Sequence, residues 1–214
     1  LPGLTLTNNE LTKYDDVMET AEKAIRAFMN GENIEVSIQE MEQPDVLLWA
    51  VWCIQQYGKF VGMDSCVEKY SALVRDIMNW IQGNNHANLK VMENKLLHSE
   101  GRDKAITWMN STANGRPIVP RTGYIVEFNA LWYNAMLFTA EMLREMGKET
   151  SADLMEYQAN IAKDAFVKTF WNGVYLYDFV INDYADKEVR PNMISAVGLP
   201  FSPLDKRQQK AVVD

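Results

Sequence analysis

The sequence is poor in the residue types that hold metals and disulfides. It contains only two cysteines, Cys53 and Cys66, and two histidines, His86 and His98. Two cysteines do not make a disulfide framework, and the spacing of these four residues matches no zinc motif. We therefore expect no metal and no other cofactor.

Basic charge and long apolar runs are also lacking. Lys and Arg number 21 against 29 Asp and Glu, a formal net charge of -8, whereas nucleic-acid backbones and anionic membranes bind to basic surfaces. No apolar run reaches the length of about 18 residues that suggests a membrane span, and no signal peptide is visible. These absences exclude nucleic-acid and membrane partners and predict a soluble protein with a neutral partner, cytoplasmic or alternatively periplasmic.

Glycine and proline are too few for a disordered chain. With 11 Gly, 7 Pro and 47% apolar residues, the 214 residues can bury a substantial core as one unit. The sequence starts at Leu1 rather than at a methionine and stops at Asp214, soon after another helix-like run begins. We expect residues 1–214 to be a fragment of one domain, truncated at both ends.

Helical periodicity covers most of the chain. Apolar residues recur at helical spacing, and Gly31, Gly58 and Gly83 follow three of the runs as usual helix-ending residues. We predict an all-α fold of sequential helical hairpins, with Ser151 as a helix cap and a short strand at 174–180. The predicted helices are 11–30, 44–57, 63–82, 126–146, 152–171, 191–198 and 203–213.

A long irregular segment separates the two helical blocks. Residues 84–125 are rich in Asn, Gly and Pro and predict loops with a short strand pair. Connections beyond roughly 12 to 15 residues are uncommon in compact domains and are usually functional. We therefore expect the functional residues in this segment.

The end of this segment brings together an indole, a guanidinium and a carboxylate: Trp108, Arg121 and Glu127. A sugar needs a flat apolar surface for its ring and fixed donors and acceptors for its hydroxyls. The same residues also fit a structural role, since Trp132 in an apolar helix is typical of a core and an arginine before a helix often binds backbone carbonyls. From the residues alone, both interpretations stay open.

Ordered motifs along the chain carry a family resemblance. The strongest are Trp108-Met109-Asn110, Pro120-Arg121-Thr122-Gly123 and Val126-Glu127-Phe128-Asn129-Ala130-Leu131-Trp132-Tyr133-Asn134-Ala135. Others are Leu1-Pro2-Gly3-Leu4-Thr5-Leu6, Asp45-Val46-Leu47-Leu48-Trp49, Phe170-Trp171-Asn172, Tyr175-Leu176-Tyr177-Asp178 and Arg190-Pro191-Asn192. Together they resemble, over nearly the whole chain, the C-terminal amylo-α-1,6-glucosidase domain of bacterial and archaeal-type glycogen-debranching enzymes.

The resemblance implies a fold and a reaction. The fold is an (α/α)6 toroid, here a partial one, with short β-hairpins in its loops. The reaction is hydrolysis of α-1,6-linked glucose at the branch points of glycogen or another branched α-glucan, with inversion at the anomeric carbon. Inversion uses two carboxyl groups roughly 6.5 to 9.5 Å apart. The family's base lies beyond residue 214, so the fragment alone is expected to be inactive.

The resemblance also assigns the catalytic positions, with one departure. Asn110 stands where the family has the aspartate that acts as the acid, and an amide does not donate a catalytic proton at neutral pH. Three explanations remain: Glu127 or Asp103 takes over as the acid, the protein binds glucans without cleaving them, or the residue was altered to trap substrate. We therefore take Asn110 and Glu127 as the candidate catalytic residues.

Sugar contacts are expected first from Trp108 and Arg121. A second group of candidate contacts comprises Asp45, Trp132, Tyr133, Asn134, Arg190 and Asn192. The alternative for Arg190-Pro191-Asn192 is a cap on the following helix.

Two alternative functions remain open. They are a non-catalytic glucan-binding or regulatory helical module, and a solenoid-type helical interaction domain. Convergence of the loops 84–125 and 173–192 on one cavity lined by Trp108, Arg121 and Glu127 would favour sugar chemistry, and their dispersal over the surface would favour the interaction domain. Truncated helix faces would also expose apolar surface, so the fragment is expected to form a homodimer.

Overall fold

Helices dominate the computed structural model, which describes residues 5–6, 8, 10–32 and 43–214. The long helices are α1 (Leu11–Met29), α2 (Asp45–Val61), α3 (Met63–Gln82), α4 (Val126–Glu145) and α5 (Glu149–Phe170). A 3-10 turn at Pro191–Ile194 leads into the short helices α6 (Ser195–Gly198) and α7 (Lys206–Val213). The predicted all-α class is confirmed, and the arrangement is consistent with part of a helical toroid. Leu1 to Leu4 of the first motif lie outside the described residues.

Two helical hairpins form the body of the fold, α2 with α3 and α4 with α5. The second hairpin turns within three residues because Gly147 adopts a φ of +69° and its N–H caps α4 on the carbonyl of Arg144. Helix α5 therefore begins at Glu149, and the prediction that Ser151 caps it is wrong. Ser151 lies inside the first turn, with its N–H bonded to the carbonyl of Lys148.

Helix α4 is the centre of the molecule. It packs against α2, α3, α5 and α6, and the side chains of Phe128, Trp132 and Phe138 have no exposed surface. A helix that is apolar on all sides has to be surrounded by other elements. The residues at its N-terminus are therefore held in place by the whole core.

Short antiparallel strands join the loops between the helices. The strands are β1 (Leu89–Val91), β2 (Leu97–Ser99), β3 (Thr112–Ala113), β4 (Arg116–Pro117), β5 (Gly123–Ile125), β6 (Phe179–Ile181) and β7 (Tyr184–Ala185). They form a five-stranded sheet in the order β1-β2-β5-β6-β7 and a separate β3-β4 pair. The pairing of β5 with β6 connects the segment 84–125 to the segment 173–192.

The strand predicted at 174–180 is displaced along the chain. Residues 172–175 form a turn instead, in which Asn172 accepts hydrogen bonds from the N–H groups of Val174 and Tyr175 and Gly173 adopts a φ of +102°. Regular pairing starts only at Phe179. The alternation of aromatic residues therefore predicts a strand in this region but not its boundaries, because the turn at Asn172 and Gly173 occupies the first part of the run.

Two surface features bear on partners. A groove of about 410 Å³ lies between α3, α4 and α5, where Leu154 is exposed. Dimerisation through apolar helix faces stays a prediction. Among the helices of the described residues, none combines the length with the apolar character needed to cross a bilayer.

We predict that Gly123→Ala destabilises the fold far more than Gly115→Ala. Gly123 has a φ of +90°, and a Cβ there would lie 2.3 Å from the carbonyl oxygen of Val180, inside the β5–β6 ladder. Gly115 has a φ of +75° with nothing within 4 Å of its added Cβ. We expect the free energy of unfolding in urea to fall by at least about 3 kcal/mol for the first and by about 1 kcal/mol for the second. Equal losses would contradict this account of the β5–β6 contact.

Candidate functional site

A buried arginine joins the two loop segments to the N-terminus of α4. The Arg121 guanidinium forms a two-pronged pair with the carboxylate of Glu127: Nη1 donates to Oε1, and Nη2 donates to Oε2 at 2.6 Å. Nη2 also donates to Oδ1 of Asp178 at 2.9 Å. The Arg121 Nε lies 2.8 Å from Oδ2 of Asp178, as an ion contact rather than an aligned hydrogen bond. All three side chains are at most 3% exposed, so these contacts are shielded from water.

Local structure accounts for this convergence. Arg121 precedes β5, which continues directly into α4, so Glu127 occupies the first turn of the helix. Asp178 immediately precedes β6, the partner of β5, and the N–H of Val126 donates to the Asp178 carbonyl at 3.1 Å. The pairing of the two strands thus places the three charged groups side by side.

Asp178 is the centre of a wider network. Arg190 Nη1 donates to Asp178 Oδ2 at 3.0 Å and to Asp186 Oδ2 at 2.9 Å, while Asn192 Nδ2 donates to Asp178 Oδ1 at 2.6 Å. Neither Arg190 nor Asn192 makes a side-chain cap on the 3-10 turn that follows. Arg190 is nevertheless the N-terminal cap residue of this 3-10 helix and Pro191 occupies its first position, so the motif starts the helix through its backbone while both side chains join the network.

The network reaches the surface at Trp108. Its indole Nε1 donates to Asn192 Oδ1 at 2.9 Å, yet the residue is 57% exposed. Because the indole nitrogen is hydrogen-bonded to the buried Asn192, the ring exposes an apolar face in a defined orientation. Asn110, two residues further on, is also exposed.

Burial and charge oppose each other within this cluster. Burial raises the pKa of Glu127, and the hydrogen bonds from Arg121 counteract that shift. Burial alone would lower the pKa of Arg121, but Glu127 and Asp178 raise it, so the guanidinium stays charged. Three carboxylates against two guanidinium groups leave the cluster with an excess of hydrogen-bond acceptors, which suits a neutral ligand rich in hydroxyl donors better than an anion.

Asp45, in the first turn of α2, adds a further carboxyl group. It is only 5% exposed, and its Oδ1 has no hydrogen-bond partner in the described part of the chain. Burial and the charge of Glu127 raise the pKa of Asp45 to about 6, against a hydrogen bond with Trp49 and the charge of Arg121. A buried oxygen without a donor is costly unless a ligand or water supplies one.

Three of the predicted sugar contacts lie inside the core. Trp132 has no exposed surface and its Nε1 donates to the carbonyl of Lys95 at 2.9 Å. Asn134 donates to Gln55 at 2.8 Å and accepts from the N–H of Phe201 at 3.1 Å, which occupies its amide. Tyr133 is 6% exposed. The burial of Trp132 and Asn134 supports a structural role for both, and their contact with a sugar finds no support in this geometry.

A large open cleft lies beside the network, and both loop segments line it. Its volume is about 1050 Å³. Arg102, Val119 and Thr122 line it from the first segment, and Tyr184, Lys187 and Arg190 from the second. The two loop segments therefore share one cleft, but Trp108, Arg121 and Glu127 do not line it, so the expected cavity formed by these three residues is not found there.

Asp178 and Asp186 are site residues that our sequence analysis did not select. Asp178 was quoted in a motif, but its position after a run of aromatic residues suggested only the end of a strand. Its role depends on contacts with Arg121 and Arg190, which are 57 and 12 residues away. The only local signal for Asp178 in the sequence is its position directly after an alternating aromatic run and before a second arginine, Arg190.

Comparison with known families agrees with the motifs. A family model described as amylo-alpha-1,6-glucosidase matches residues 1–214, the whole chain. No curated protein and no solved structure matches the chain.

We predict that Arg121→Gln strongly destabilises the protein, whereas Arg144→Gln has little effect. Arg121→Gln leaves Glu127 and Asp178 buried without their cation, which typically costs about 3 to 5 kcal/mol. Arg144 contacts three carboxylates on the surface, where water screens the charges. Chemical unfolding of both variants beside wild type measures the difference. A loss for Arg121→Gln no larger than for Arg144→Gln would show that the buried network does not hold the loops.

We predict that Asp45→Asn stabilises the protein at alkaline pH. The folded-state pKa of about 6 lies above the ordinary aspartate value of 3.8, so folding favours the protonated carboxyl and stability falls as pH rises through this range. Removing the buried charge should therefore add roughly 2 to 3 kcal/mol at pH 8 and little below pH 4. Asp164→Asn, an exposed carboxyl on α5, is the control. A gain that is the same at both pH values would contradict the assignment.

Proposed function

Because the chain belongs to the amylo-α-1,6-glucosidase family, we propose that its loop face binds the α-1,6-linked glucose of a branched glucan such as glycogen. The family places the chain among glycosidase domains of the glycogen-debranching type. The observation that carries the proposal is the exposed Trp108 indole, fixed by Asn192 above a buried network rich in carboxylates.

The sugar ring packs on the Trp108 face, and its hydroxyls bond to groups around it. An aromatic platform with a few fixed polar partners is the usual composition of a small-ligand site. Arg190 is 18% exposed at its side chain and already held by two carboxylates, so it offers pre-oriented donors. Arg121 is buried beneath these groups and acts on them only indirectly, by positioning Asp178, which in turn binds Asn192.

Asp45 accepts a sugar hydroxyl in this proposal. Within the described residues its Oδ1 has no donor, and the charges of Glu127 and Arg121 both act on its pKa, which supports a position near the same network. A hydroxyl donor would satisfy the ionised form. Sugar binding should therefore strengthen as pH rises through about 6.

For the chemical step we propose inverting hydrolysis, with a general base supplied from outside residues 1–214, as the family resemblance implies. The isolated chain then binds sugar without turning it over. Both carboxylate oxygens of Glu127 accept from Arg121, which favours a positioning role for Glu127 over that of proton donor. Asp103, exposed in the loop before Trp108, remains the alternative acid.

A second candidate function is glucan binding without hydrolysis. It is favoured by Asn110, because an exposed amide occupies the position where the family carries its acid. Binding and cleavage are separable by experiment, since only cleavage releases free glucose.

We predict that the complete protein containing this chain releases glucose from a branched limit dextrin. NMR should detect β-glucose first, because inversion converts the α linkage to the β anomer. Trp108→Ala should reduce release by roughly tenfold or more through loss of the aromatic surface, and Trp80→Phe, at an aromatic cluster with Phe28 and His86, should not. Appearance of α-glucose would exclude inversion, and glucan binding without any release would favour the second candidate.

Asn110→Asp and Glu127→Gln refine the same assay. We expect Asn110→Asp to raise glucose release, since it restores a group that can carry a proton. Glu127→Gln should lower release together with thermal stability, while the alkaline limb of the pH profile persists. Loss of that limb at unchanged stability would instead identify Glu127 as the proton donor.

A further inference from the structure

A second cavity lies between the long helices, away from the loop face. It is the groove of about 410 Å³ bounded by α3, α4 and α5, a volume within the usual range for small-ligand sites. Helices α3 and α5 both pack on α4, so α4 forms the floor and the other two form the walls. The floor includes Met142, which lies about 22 Å along α4 from Glu127. The groove is therefore separate from the buried network, and we call it the helix groove.

The helix groove has two different ends. At one end, Gln82 Nε2 donates to Gln158 Oε1 at 3.3 Å, which joins α3 to α5. Arg75 on α3 and Ser151 on α5 both line the groove, each about 10 Å of helix before its glutamine. The two walls therefore run in the same direction, and Arg75 and Ser151 lie toward the opposite end. Lys148, just before α5, belongs to that end as well.

Positive charge prevails in the lining of the helix groove. Arg75 and Lys148 line it, whereas no Asp or Glu does within the described residues. This contrasts with the whole chain, in which acidic residues outnumber basic ones. Arg75 is paired with the adjacent Asp76, but Lys148 is exposed and has no ion pair in the part of the chain that the structure describes. The unpaired charge at this end is therefore that of Lys148.

Methionine supplies much of the apolar surface between the two ends. Thioether side chains are flexible and polarisable, so they adapt to ligands of different shape. Leu154 on α5 adds an apolar side chain that is 58% exposed at the groove. The groove thus offers apolar contact along its length and a cation at one end. Its methionines are Met78, Met142, Met146 and Met155.

This combination matches an apolar chain that ends in an anion. Burial of each methylene contributes about 0.8 kcal/mol, and a terminal carboxylate would pair with the ammonium group of Lys148. A peptide helix is about 10 to 12 Å across with its side chains, so even a short length of it occupies more than the volume of about 410 Å³. A second copy of this chain would bring the same positive lining. The small amphiphile is therefore the ligand that the groove fits best.

We propose that the helix groove binds a small amphiphilic anion, an alkyl carboxylate of medium chain length. Its chain lies on the methionine surface between α3 and α5, and its carboxylate lies at Lys148. The site does not depend on the proposed function, because its described lining shares no residue with the network around Arg121. Its test measures binding rather than glucose release.

Calorimetric titration with decanoate, decanol and decyltrimethylammonium, each below its micelle concentration, tests the head group. Saturable binding of decanoate is expected, with decanol weaker and the cationic amphiphile weakest. Lys148→Gln should weaken decanoate binding roughly twofold to fivefold and leave decanol binding unchanged. Lys168→Gln, which is also exposed and on α5, is the matched control and should change neither affinity.

The apolar wall is tested at exposed residues, so that the core stays intact. Leu154→Ala should weaken decanoate and decanol binding alike, roughly threefold to tenfold, because it removes methylene contacts. Tyr157→Ala removes a similarly exposed side chain of α5 outside the groove, at 64% exposure, and should have no effect. Methyl NMR should locate the ligand through shifts of the Met142 and Met155 signals when decanoate is added.

Several results would overturn the proposal. Decanoate that fails to bind saturably, or binds no better than decyltrimethylammonium, would show that the groove does not select an anion. Unchanged decanoate affinity in Lys148→Gln, or an equal loss in Lys168→Gln or Tyr157→Ala, would place the ligand elsewhere on the protein. Methionine methyl signals that stay unchanged while decanoate binds would do the same.

Discussion

The contacts of one guanidinium group organise the loop face of this protein. Arg121 lies between Glu127 and Asp178 without access to water, and each carboxylate comes from a different part of the chain. A buried charge is tolerated only when it is paired and hydrogen-bonded, so any arrangement that separated these three segments would be costly. The net stabilisation from such a pair is small compared with the cost of leaving any member alone. Its main effect is therefore to specify where the loops lie.

Hydrogen bonds connect this buried pair to the exposed part of the site. Asp178 receives hydrogen bonds from Arg121, Arg190 and Asn192, and Asn192 in turn holds the indole of Trp108. The charged groups of Arg121, Glu127 and Asp178 are buried, and the aromatic ring of Trp108 is exposed to water. A ligand that contacts the exposed Trp108 ring therefore leaves the buried charges paired with their partners. This layering resembles the general design in which a second layer of hydrogen bonds fixes the groups that touch a ligand.

The sequence predicted the local features well and the long-range ones poorly. Helical periodicity and terminal glycines located α2, α3 and α4 within a few residues, because those signals are confined to neighbouring turns. The five-stranded sheet was not predicted as one unit, since β5 pairs with a strand some 55 residues further on and each strand is only two or three residues long. Family motifs identified the site region, but they did not distinguish an exposed residue such as Trp108 from a buried one such as Trp132. Burial depends on how helices pack, which adjacent residues do not encode.

Strand β5 ends at Ile125 and helix α4 begins at Val126, with no linker between them. Residues 126–136 of α4 are all buried, so the core contacts that hold the start of this helix also hold the strand fused to its first turn. One end of the loop face is therefore tied directly to the helical core, whereas the exposed Trp108 lies in a stretch of chain before β5 that is fused to no helix in the described structure.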